Sequence, residues 1–125
     1  MDKEYKELET FKFVTESMNH LALIGAREAI GNLGETNILY YMHYHPDDSP
    51  QLFLEYAYLG NRVGYGVRKG ILDKAIILSF WLPEWWISLW KKLEPLIKEE
   101  RKRRNIPKLY GDFEWFVAKL EQKDD

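Results

Sequence analysis

Between Ser79 and Trp90 the sequence SFWLPEWWISLW places four of the chain's five tryptophans, then runs into the charged segment KKLEPLIKEERKRR. On a helix opened by Pro83, residues Leu82, Trp86, Leu89, Trp90, Leu93, Leu96 and Ile97 fall within one stripe about 140° wide at about 100° per residue. A stripe that broad has to be covered by the chain's own core or by a partner, since each buried aromatic ring contributes roughly 150–250 Å². Pro95 lies within it, removes one backbone hydrogen bond and is expected to kink the helix. Asn105 and Pro107 are expected to end it.

The rest of the chain follows the same helical period. From Lys3 to about Gly31, Leu8, Phe11, Val14, Met18, Leu21 and Ile24 recur at steps of three or four, which predicts one long amphipathic helix of roughly 40 Å. Gly31 and Gly34 can supply its terminal turn. TNILYYMHYH reads as a short second helix, with a strand as the alternative, and HPDDSP breaks it. Ser49 followed by Pro50 is a capped helix start, because the hydroxyl accepts from orphan N–H groups and a first-turn proline forfeits no bond. That helix should run to about Lys69, with Gly70 in its final turn. Asp73 then caps a short helix from Lys74 to Trp81, and Asp112 is expected to cap a last one on which Phe113, Phe116, Val117 and Leu120 share a face opposite Trp115.

An all-α fold is therefore expected: a single domain over residues 1–125, a bundle of five or six helices with a long N-terminal helix and a kinked Trp-rich one. The length of 125 residues suits one core. The acidic, amphipathic start predicts no signal peptide, and the longest apolar run, Ala75 to Leu82, is far short of the about 20 residues a membrane span needs. Absence of cysteine removes disulfides and thiolate chemistry and fits a reducing, cytoplasmic setting. The formal charge of −2 conceals a polarity: residues 1–35 hold four Lys/Arg against seven Asp/Glu, and residues 91–108 hold eight against three.

Across residues 52–121 the order LEYAYLGNRVGYGVRKGILD, W–ISLW–KKLEPLIKEERKRR, PKLYGDFEWFVAKL resembles an uncharacterised helical family, domain of unknown function 4760. The motifs RKGILD, LEPLIKEERKRR and LYGDFEW carry the resemblance, with a looser fit from Ala26 to Leu33. It implies a helical fold and transfers no catalytic residue. Many members resemble proteins with an N-terminal membrane-spanning segment, and none is expected here.

Four groups are candidate sites. His43, His45 and Asp47, with Asp48, form an H-x-H-x-D-D run one residue type from the HxHxDH of metallo-β-lactamase-like hydrolases, which makes a metal-dependent hydrolase one reading and a polar turn the other. Gly60, Gly64 and Gly66 fit no phosphate-binding pattern. Gly60 and Gly64 share a face that allows another helix to approach closely, a break near Tyr65 being the alternative. Arg62, Arg68 and Lys69 nearby could meet an anion. Arg101, Arg103 and Arg104, with Lys98 and Lys102, could contact phosphates while Trp85 or Trp115 stack on bases, giving a nucleic-acid accessory protein. Trp85, Trp86, Trp90 and Trp115 could instead anchor a protein partner, the arginines guiding it electrostatically.

No carboxylate pair or nucleophile motif supports an enzyme, and no cofactor is expected. The leading expectation is a non-enzymatic interaction or assembly module whose partner is another protein or a second copy, the Trp-bearing helix in the latter case meeting the acidic N-terminal helix of that copy in an antiparallel homodimer.

Overall fold

A computed structural model describes residues 2–47 and 49–122. Its helices are α1 (Lys3–Leu23), α2 (Ala26–Leu33), α3 (Ile38–Tyr44), α4 (Pro50–Arg68), α5 (Lys74–Phe80), α6 (Pro83–Arg104) and α7 (Gly111–Glu121). The described residues thus form an all-α domain of seven helices without strands, one or two more than expected. The extra helix comes from Gly25. Its φ of 78° breaks the predicted single helix after Ile24, so that α2 turns to bury Ala26, Ala29 and Leu33. Gly31 stays inside α2, and Gly34, at φ 55°, ends it.

Local chemistry explains most helix ends. Ser49 Oγ accepts from the Gln51 N–H ahead of Pro50, Asp73 accepts from Ile76 N–H, and Asn37 caps α3 through the N–H groups of Leu39 and Tyr40. Asn105 adopts the left-handed conformation after α6, with Ile106 N–H bonded to the Arg101 carbonyl and Asn105 N–H to that of Lys102. α4 and α6 each run unbroken, through Tyr65 and Pro95 respectively.

α4 is the central helix, touching α1, α2, α6 and most extensively α7. Its contact with α7 is a glycine seam. A methyl group on Gly60 would lie 2.5 Å from the Phe113 ring, and one on Gly64 would fall on the backbone carbonyl of Asp112. Between these glycines Asn61 reaches across, its Oδ1 accepting from the N–H groups of Asp112 (2.9 Å) and Phe113 (3.3 Å). Asp112 is therefore not the cap of α7. The helix starts two residues earlier than such a cap implies, after left-handed Tyr110, and the Asp112 carboxylate instead receives Arg68 at 3.0 Å. Asn61→Ala removes a cap supplied from a distant helix and should lower stability by about 1–2 kcal/mol, as losing an ordinary N-cap does. Urea unfolding checks this, and an unchanged midpoint would show that water replaces the amide without loss.

α1 packs differently from expectation. The buried face is Thr10, Val14, Ser17 and Leu21, while Leu8, Phe11 and Met18 are exposed. Two stripes at helical spacing compete on this helix, and the one with small polar residues faces inward because it allows closer approach. It also satisfies the next connection: Thr10 Oγ1 donates to the Lys6 carbonyl at 2.7 Å and accepts from Asp73 N–H at 2.9 Å.

Candidate functional site

The tryptophans divide between core and surface. Trp86 is fully buried, its ring edge-on to Phe116 (5.5 Å), Trp85 (4.9 Å) and Trp81 (5.4 Å). Trp90 is also buried, against Phe113 at 5.1 Å. Both belong to the stripe read from the sequence, and the core rings that surround them leave neither available to a partner. Leu82 leaves that stripe: it precedes α6 in an extended conformation and is 62% exposed. Trp81 and Trp85 stack at 5.8 Å and stay partly exposed, walling a hollow of about 300 Å³ with Met18, Arg27, Ile30 and Tyr56. Burial pushes the Tyr56 hydroxyl up in pKa, opposed by Arg27.

This hollow joins the outward face of α1. Met18 lines it, Phe11 meets Phe80 edge-on at 5.5 Å, and Phe80 precedes Trp81 in the chain. Leu8, Phe11 and Met18 recur at helical spacing along α1, and are 66%, 47% and 40% exposed. The outcome is one apolar surface crossing α1, the end of α5 and the start of α6. Sequence periodicity placed Leu8, Phe11 and Met18 of this surface on the apolar face of the N-terminal helix. Only the competing stripe of Thr10 and Ser17 could have signalled otherwise.

The basic end of α6 is largely tied to its own fold. Arg101 pairs with Glu114 at 2.8 Å and donates from Nε to the Leu109 carbonyl at 2.9 Å. Arg103 forks onto both oxygens of Glu100, at 2.9 and 2.7 Å, which holds that carboxyl below its usual range. Lys98 meets Glu94 one turn away at 3.7 Å. Lys102 and Arg104 have no ion-pair partner among the described residues. Trp115 sits in a groove lined by Lys74 and Lys119, and none of residues 101–104 lines it.

His45 lies with Nδ1 2.9 Å from the Tyr41 carbonyl oxygen and its ring stacked on that of Tyr41 at 4.0 Å. His43 turns edge-on to Tyr44. Among the described residues no three His, Asp or Glu side chains are grouped to hold a metal ion, Asp47 included, and Asp48 lies outside those residues.

A second concavity, of about 280 Å³, separates α1 from α4 and is lined by Phe13, Glu16, His20, Glu55, Tyr58 and Arg62, among others. His20 Nε2 is 3.5 Å from Glu55, and the Arg62 guanidinium lies 4.8 Å from the centre of the Phe13 ring and 5.5 Å from that of Tyr58. The sequence grouped Arg62 with Arg68, yet of these two only Arg68 has a carboxylate partner among the described residues.

No helix among the described residues is long and apolar enough to cross a membrane. No curated protein and no solved structure matches the chain. One family profile does, described as a domain of unknown function (DUF4760), and its match takes in the N-terminal helices as well as the motifs from Leu52 onward. Spanning residues 3–120, from the first turn of α1 to the last of α7, that match makes the chain a member of the DUF4760 family.

Proposed function

We propose that this protein is a non-enzymatic assembly module that self-associates through the apolar surface of Leu8, Phe11, Met18, Phe80, Trp81 and Trp85. The observation that carries the reading is the continuity of that surface: an outward apolar stripe on α1 runs into a partly open tryptophan pair. Contiguous exposed apolar patches mark interaction sites, and tryptophan is enriched where binding energy concentrates.

A second copy is the occupant. Charge is complementary within one sequence, since the acidic first 35 residues carry α1 and the basic residues 91–108 include unpaired Lys102 and Arg104. A homodimer can use both.

Size-exclusion chromatography with light scattering at low and high salt, following absorbance at 260 and 280 nm, tests this. A dimer that survives high salt is expected, because an apolar interface is less sensitive to screening than phosphate contacts are. A monomer at high micromolar concentration contradicts self-assembly. A monomer carrying salt-removable nucleic acid replaces it with the accessory-protein reading.

A further inference from the structure

We infer that the cleft between α1 and α4 binds a small dipolar ligand, with an anionic group on Arg62 and an ammonium group on Glu16 and Glu55. The ligand class is that of ω-amino acids. This site is independent of self-assembly, because Phe13, Glu16 and His20 lie roughly 150° around α1 from Phe11 and Met18 at about 100° per residue.

The geometry of the two helices sets the polarity. Phe13 faces Arg62, and His20 faces Glu55, so α1 and α4 run antiparallel along the cleft. Seven residues separate the two contacts on each helix, about 10 Å at about 1.5 Å per residue. At one end Arg62 is held over two aromatic rings and has no carboxylate partner among the described residues. A guanidinium beside aromatic rings keeps N–H donors for carboxylate or phosphate, which it engages in a bidentate manner.

At the other end Glu55 meets the His20 imidazole, and Glu16, about one helical turn from either contact along α1, adds a second carboxylate to the cleft wall. Glu16 has no ion pair among the described residues, so this acidic part of the cleft attracts a cation. Leu59, Leu21 and the Phe13 and Tyr58 rings supply apolar wall. A ligand spanning the cleft therefore carries opposite charges roughly 5–10 Å apart, joined by an aliphatic chain. An α-amino acid is too short to span it.

The probe is 6-aminohexanoate, titrated into the full-length protein while the histidine ring signals are followed by NMR. His20 lines the cleft, whereas His43 and His45 lie at the end of α3 and just beyond it and serve as internal controls. The His20 signals should shift, those of His43 and His45 should not, and the Kd should be about 1 mM or tighter. Hexanoate and hexylammonium, each with one charge, should bind at least about tenfold more weakly, as should 6-aminohexanoate to Arg62→Gln. Glu16→Gln should weaken the probe while leaving hexanoate unaffected, and circular dichroism confirms that both variants fold. Unmoved His20 signals overturn the proposal. So does equal affinity for hexanoate, which would make the site a simple anion pocket, or full affinity in Arg62→Gln.

Discussion

Replacing Gly64 with alanine is expected to destabilise the domain by about 3 kcal/mol or more, the upper end of what overpacking costs. The added methyl would overlap the Asp112 backbone carbonyl, and backbone cannot rotate away as a side chain can. Relief would require α7 to lift from α4, and Asn61 would then lose its bonds to the N–H groups of Asp112 and Phe113. The matched control is Gly31→Ala in α2, where nothing lies within 4 Å of the new methyl. There alanine removes only glycine's helix penalty and should stabilise by roughly 0.5–1 kcal/mol. Urea midpoints should therefore move in opposite directions, and two similar shifts would mean that the glycine seam does not set the α4–α7 distance.

Trp86 and Trp85 are adjacent in sequence and should behave as opposites. Trp86→Ala empties the middle of the ring cluster and should destabilise by about 3–5 kcal/mol, the range for losing a fully buried large aromatic side chain. Trp85→Ala loses a partly exposed ring stacked on Trp81 and should cost less than half as much. Trp86→Phe separates volume from polarity. The indole Nε1 is buried and has no hydrogen-bond partner among the described residues, so phenylalanine removes an unsatisfied donor together with the lost volume. Its cost should be well below that of Trp86→Ala. If thermal and urea unfolding give Trp85→Ala and Trp86→Ala equal penalties, Trp86 is not the centre of the cluster.

Helix ends were largely legible in the sequence because caps and turns are local: Ser49 with Pro50, Gly70, Asp73, Pro83 and Asn105 lie where their chemistry indicates. Features set by distant contacts were not. Period alone cannot decide which of two stripes on α1 is buried, since Val14 and Leu21 belong to the inner face with Thr10 and Ser17, while Phe11 and Met18 turn outward. The apolar pattern also continues across Gly25, concealing the break before α2. Asn61 caps α7 from 51 residues away, a pairing that no local motif announces. At the candidate interface, Trp85 is not part of the sequence-derived stripe and remains partly exposed. Trp86 and Trp90 were equally visible, but only packing identified them as core.

The most direct test of the central claim is sedimentation velocity over a concentration series, comparing the wild-type protein with Phe11→Asp/Met18→Asp at high salt. Both substitutions lie on the outward face of α1, away from the buried stripe, so the helical circular dichroism spectrum should be retained. The wild type should shift from monomer toward dimer as concentration rises, while the double variant should stay monomeric throughout. A wild type that remains monomeric, or a double variant that dimerises equally well, contradicts self-assembly through this surface.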